Sequence, residues 1–201
     1  MAEITAALVK QLRDMTGAGM MECKAALTEA KGDIGEAVTL LRKRGLASAA
    51  KRAGRATAQG TIGSYLHMGG RIGVLVEVNC ESDFVARTDD FANLVKEIAM
   101  HIAAADPKWV RREDVPTEAI EQEKAIYRAQ MEGSGKPPHV IDKIIEGKLG
   151  SFYAQVVLLD QPSVRDSATT IAQLVAQASA KTGENIQVGR FARFRVGDAH
   201  Q

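Results

Sequence analysis

TIGSYLHMGGRIGVLVEVNCESDFVAR, residues 61–87, contains two runs of period-two alternation on either side of Gly69-Gly70. A glycine pair supplies the positive φ that tight hairpin turns need, so the stretch predicts two antiparallel strands. Val74, Val76 and Val78 fall on one face of the second strand, which is therefore the core face. From Cys80 the alternation gives way to a polar, acidic run whose only large aromatic is Phe84, between Asp83 and Val85. The residues allow two readings: a hairpin end whose Phe84 folds back over the strands while Ser82 or Asp83 satisfies turn amides, or an aromatic offered to another protein.

Downstream, Thr88 is placed to cap a helix whose Phe91, Leu94, Val95, Ile98 and Ile102 form one stripe, ending before Asp106-Pro107. That stripe predicts packing on the sheet. Helical segments over 117–132 and 139–149 flank the turn EGSGKPP and predict a projecting helical hairpin at about 117–149. A last helix over 167–181 precedes NIQVGRFARFRVG, residues 185–197, in which Ile186, Val188 and Val196 alternate with polar residues as a third strand. Phe191 and Phe194 differ in parity and must point to opposite faces of the sheet. One face has helices to cover it; the other needs a partner surface or exposes an aromatic.

Upstream, Ile4, Leu8, Leu12 and Met15 recur at helical spacing, and Gly17 and Gly19 punctuate a second segment containing Met21, Ala25 and Leu27. Asp33 and Glu36 are spaced as a capping box for a third helix with Ile34, Val38 and Leu41 on its apolar face and Gly45 at its end. LASAAKRAGRATAQG, residues 46–60, has no large anchor after Leu46 and reads as a solvated, basic helical linker. It lacks the aromatics that stack nucleic-acid bases. The fold class is α+β: an N-terminal three-helix, UBA-like bundle with its linker over 1–54, then a core over 55–201 with a three-stranded antiparallel sheet, packed helices and the helical hairpin.

Twenty-six Lys and Arg against 25 Asp and Glu leave a net charge of +1, so the chain as a whole predicts no phosphate-backbone binding. The longest apolar runs fall short of a membrane span, and the charged, amphipathic start is unlike a signal sequence, so a soluble cytoplasmic protein without a membrane partner is expected. Cys23 and Cys80 show no CxxC-type spacing, which gives a disulfide framework or zinc site no support. Cys80 with His67 would be the pair for nucleophilic chemistry, but Glu81 and Asp83 raise rather than lower a neighbouring thiol pKa, and no oxyanion-hole glycine motif follows. His67, His101, His139 and His200 have no metal-ligand spacing, and no phosphate-cradling glycine loop appears. Neither an enzyme nor a cofactor is expected.

Three segments change the weighting of Phe84: TGAGMMECKAAL (16–27), RIGVLVEVNCESDFVAR (71–87) and IAMHIAA (98–104). Together they resemble the bacterial elongation factor Ts family, and the similarity continues in order through the KPP-containing turn to the closing RFxRF strand. The resemblance implies a guanine nucleotide exchange factor for elongation factor Tu that promotes GDP release by disturbing the Mg²⁺ and phosphate site. The family's Thr-Asp-Phe-Val motif stands here as Ser82-Asp83-Phe84-Val85, and its Asp-Phe pair is pushed into the GTPase near Mg²⁺. By the same resemblance Arg13, Met20, Met21 and Lys24 lie on the N-terminal contact surface, and His67 with the hairpin face approaches other parts of the partner. Longer members carry two hairpin-plus-helices subdomains; this chain has room for one, which implies a homodimer. The rival reading is a non-catalytic protein-binding module, which three short helices with a Met-Gly loop also suit.

Overall fold

Thr5 and Gly17 bracket the first helix. In the computed structural model, which describes residues 4–67, 69–133 and 135–198, Thr5 Oγ1 accepts the Leu8 N–H, and Gly17 at φ 67 closes α1, Ala6–Thr16. Helix α2, Met20–Glu29, starts at Gly19, whose N–H is accepted by the Glu22 carboxylate at 3.2 Å. Helix α3, Ile34–Arg52, is capped by Asp33, whose carboxylate accepts the Glu36 N–H at 2.7 Å. Strands β1, Gln59–His67, and β2, Ile72–Cys80, are followed by the single turn α4, Asp83–Ala86, and by α5, Asp89–Ala105. Then come α6, Thr117–Met131, α7, Pro138–Val156, α8, Ile171–Thr182, and β3, Gln187–Arg195. The sheet is antiparallel in the order β1-β2-β3. Met68, Ser134 and His200, named above in the hairpin, the KPP turn and the histidine set, lie outside the described residues.

The chain divides into two compact units. The first comprises the residues up to Thr61, Val78–Leu94 and Gln173–Gln187. Its helical core joins Val9, Leu12, Cys23, Ala26, Leu27, Ala37 and Leu41. Met15, expected on the apolar stripe of α1, is instead exposed, and Val9 takes the buried place. The third helix also departs from its reading. It runs through Gly45 to Arg52, so the helix does not end at Gly45 and residues 46–52 of the basic stretch continue it, with none of 46–60 fully buried. A Cβ on Gly45 would lie 3.2 Å from the Ala180 Cβ, so the missing side chain serves close approach of α8 and not a helix end. Arg52 donates to the Ser179 carbonyl at 3.3 Å and to Ser48 Oγ at 2.8 Å, and Arg42 donates to Gln173 Oε1 at 2.8 Å.

The second unit comprises Ile62–Glu77, Val95–Ala172 and the residues from Val188. Val74 and Val76 are buried on β2 while Leu75 is exposed, as the alternation predicts. Gly63 admits α5 onto β1, since a Cβ there would stand 2.2 Å from Val95 Cγ1. Helix α7 extends to Val156, beyond the expected end at Leu149, because the Val156 carbonyl accepts the N–H groups of Lys108 and Trp109 at 2.8 and 3.1 Å. Before α8, Asp166 holds a local turn by accepting the Ala168 N–H and the Thr169 hydroxyl, so that helix starts later than 167. On β3 the buried positions change parity after Val188: Phe191 is half-buried, Phe194 is exposed, and Val196 is exposed beyond the strand and does not share the burial of Val188. Ile62, Leu66, Leu75 and Phe194 leave one sheet face apolar and uncovered. Among the described residues no helix is long and apolar enough to cross a membrane.

Candidate functional site

The acidic run after Cys80 is a one-turn helix built by side-chain capping. Ser82 has extended backbone, and its Oγ accepts the Val85 N–H at 3.3 Å. Val85 is buried beneath the turn, and the buried Cys80 thiol donates to the Ser82 carbonyl at 3.1 Å. On the far side Thr88 donates to the Val85 carbonyl at 2.8 Å and accepts the Phe91 N–H at 3.3 Å, the cap its sequence position predicts. With both ends held, Phe84 is 77% exposed. It does not fold back over the hairpin.

Residues that sequence reading did not single out secure the base of this turn. Glu184 Oε2 accepts the N–H groups of Glu81 and Ser82 at 3.1 and 3.0 Å, and its Oε1 accepts the Ser82 hydroxyl at 2.5 Å. In return, Glu81 Oε1 accepts the Asn185 N–H at 2.6 Å. The Asn185 side chain donates to the carbonyls of Ala53 and Arg55 at 3.2 and 2.8 Å. The only local signal was that Glu184 and Asn185 follow a helix-ending glycine, Gly183, at φ 75.

Asp83 is exposed and pairs with Arg87 at 2.8 Å, one helical turn on. Such a surface pair is worth about 1 kcal/mol or less and leaves the carboxylate available. Arg13, Met20, Met21 and Lys24 are all exposed, in the same compact unit as Phe84. His67, in the other unit, is exposed with Nδ1 3.0 Å from the Tyr65 hydroxyl, and the two rings stack.

Nucleophilic chemistry finds no footing here. Burial first, then Glu184 and more weakly Asp83, push the Cys80 thiol above its ordinary pKa against the lowering by backbone hydrogen bonds. Among the described residues no group of three or more His, Cys, Asp or Glu could hold a metal ion. A cleft of about 340 Å³ lined by Met15, Thr16, Leu41 and Leu46 also carries Arg42, Arg44, Arg52 and Lys181. Each of these cations is bonded within the protein: Arg44 and Lys181 pair with the carboxylates of Glu29 and Asp90, while Arg42 and Arg52 donate to the neutral Gln173 side chain and Ser179 carbonyl. The Phe84 turn presents to solvent an exposed aromatic with a carboxylate beside it, on a base held by hydrogen bonds at both ends.

A family model described as Elongation factor TS matches residues 1–199. Relatives named Elongation factor Ts include one from Solibacter usitatus, 63% identical over 99% of this chain and 94% of the relative. Others come from Koribacter versatilis, 60% identical over 97% of this chain and 89% of the relative, and Fervidobacterium nodosum, 60% identical over 98% of this chain and the full length of the relative. A match that runs through the bundle, the Phe84 turn and the closing strand at this level of identity is a match to the whole architecture, and the chain belongs to the elongation factor Ts family, a family of translation elongation factors.

Proposed function

We propose that the chain is a guanine nucleotide exchange factor for elongation factor Tu and that Phe84 is the wedge that opens the GTPase's Mg²⁺ site. The observation that carries this reading is the exposure of Phe84 on a turn capped at both ends, in a chain of this family. Mg²⁺ demands near-ideal octahedral coordination, so a small displacement of the elements around it weakens its hold and uncovers repulsion between the phosphates and nearby acidic groups. GDP then leaves faster. Linkage makes the coupling reciprocal: a factor that weakens nucleotide binding is equally weakened by nucleotide, so incoming GTP ejects it. The factor breaks no covalent bond and needs no cofactor of its own.

Within the motif, Asp83 and Phe84 would enter the partner while Ser82 and Val85 hold the turn. Arg13, Met20, Met21 and Lys24 would form a second contact that anchors the partner through residues 1–54, and His67 a third. The uncovered apolar sheet face would be closed by a second copy of the chain. The test is release of a fluorescent GDP analogue from elongation factor Tu. Phe84→Ala is expected to keep the wild-type melting temperature and to slow stimulated release about thirtyfold, the equivalent of about 2 kcal/mol for a buried interface aromatic. A Phe84→Ala protein that melts early while its folded fraction exchanges nucleotide normally would return Phe84 to a structural role.

A further inference from the structure

We propose that Glu184 is a positioning residue for exchange: its carboxylate aims Phe84 by fixing the cap of the turn that carries it. The inference rests on the exchange reading above and extends it to a residue 102 positions away from Ser82 in the chain. A carboxylate offers about four acceptor sites. Glu184 uses three of them on two adjacent residues, the N–H groups of Glu81 and Ser82 and the Ser82 hydroxyl. The hydroxyl bond is the informative one. Ser82 has a single hydroxyl proton, and donating it to Glu184 leaves an oxygen lone pair for the Val85 N–H, which is the cap of α4. Glu184 thus sets the hydroxyl rotor, the rotor sets the cap, and the cap sets the direction in which Phe84 leaves the turn. Charge-assisted bonds of this kind are shorter and stronger than neutral ones.

The backbone that carries this carboxylate is itself held. The Glu184 carbonyl accepts the Ser179 hydroxyl at 2.5 Å, and Asn185 beside it is fastened to Ala53 and Arg55 and to the Glu81 carboxylate. Glu81 and Glu184 therefore form a reciprocal clasp, each side chain binding the other's stretch of backbone. Closing the end of the sheet would need only the backbone arms. The hydroxyl arm reaches past them into the Phe84 turn.

The test uses the full chain and fluorescent GDP release from elongation factor Tu, read as maximal stimulated rate and half-saturating concentration, with thermal unfolding on the same preparations. Glu184→Ala is expected to lower the maximal rate about tenfold, the order that loss of hydrogen bonds to a charged group produces. The double variant with Phe84→Ala is expected to be no slower than Phe84→Ala alone, because a misaimed turn costs nothing once the wedge is gone. Glu184→Gln keeps one oxygen for the hydroxyl but turns an N–H toward backbone donors, and should fall between Glu184→Ala and the parent. If Glu184→Ala folds too poorly to assay, Glu184→Gln, which leaves the Ser82 cap of Val85 in place, carries the same comparison with its own Phe84→Ala double variant. A folded Glu184→Ala with an unchanged maximal rate, or losses that multiply in the double variant, overturns the proposal. Full-rate exchange by Phe84→Ala would sink the wedge reading of Phe84 and the clasp with it, and absence of stimulated release by the parent protein would sink the exchange reading; a slow Phe84→Ala beside an unimpaired Glu184→Ala sinks the clasp alone.

Discussion

His101 sits fully buried with both ring nitrogens committed: the Val164 N–H donates to Nδ1 at 3.3 Å, and Nε2 lies 2.9 Å from Gln161 Oε1. That arrangement suits the neutral ring with its proton on Nε2. Burial holds the imidazole pKa below its ordinary value of 6.5, against smaller opposing effects of the Gln161 bond and Glu97. A folded state with the lower pKa binds fewer protons than the unfolded chain, so stability is fully present above the unfolded pKa and is lost as pH falls from 6.5 toward the folded pKa. The slope from this one group is at most about 1.4 kcal/mol per pH unit. Urea unfolding at pH 7.5 and 5.5 is expected to show a lower midpoint in acid, and His101→Gln should flatten the difference while lowering stability at both values. A pH dependence unchanged in His101→Gln would assign the acid sensitivity to other groups.

At the scale of elements, glycine positions divide by what a Cβ would meet. Gly63 lies beneath α5, and Gly63→Ala would force a Cβ to 2.2 Å from Val95 Cγ1. Overpacking of this kind costs about 1 to 3 kcal/mol. Gly147, inside α7, has nothing within 4 Å of such a Cβ, so Gly147→Ala should gain up to about 1 kcal/mol of helix propensity. The two substitutions are expected to move the melting temperature in opposite directions, and a common sign would mean that helix propensity and the local approach of α5 are not the deciding terms. Gly45 belongs with Gly63: the contact with Ala180 explains why a residue that reads as a helix end stands in mid-helix. For the same reason point variants probe the proposed N-terminal contact more cleanly than truncation, since removing residues 1–54 would also strip α8 of Gly45 and Arg52 and Asn185 of the Ala53 carbonyl.

For the whole molecule the open sheet face sets the expectation. Leu66, Leu75 and Phe194 are at least half exposed there, an apolar surface that a second copy would bury in the proposed dimer. Both cysteines are buried elsewhere, so the association should survive reducing agent. Sedimentation at micromolar concentration with a thiol present is expected to give a dimer that Phe194→Ser weakens. A strictly monomeric parent protein would leave the face without its proposed occupant. Because the Phe84 turn and the Met20-Met21 surface share one compact unit, dissociation by Phe194→Ser should leave Phe84 in its capped turn.

By itself the sequence determined what is settled within a few residues of chain. The Gly69-Gly70 hairpin, the Asp33 and Thr88 caps and the alternation of Val74, Val76 and Val78 depend on hydrogen bonds and side-chain directions no more than four residues apart. The Ser82-Asp83-Phe84-Val85 motif was legible as a candidate site for the same reason. Tertiary structure alone decided that Phe84 is exposed and not folded back, that α3 continues through Gly45, and that Met15 faces solvent. It also supplied Glu184 and Asn185, whose partners lie 102 and 104 positions away, and the loop joining such residues carries no periodicity that would mark them. Local patterns place a residue on a helix or strand; which groups it meets from the far end of the chain depends on how those elements pack, because a buried donor or acceptor takes whichever partner packing brings within reach.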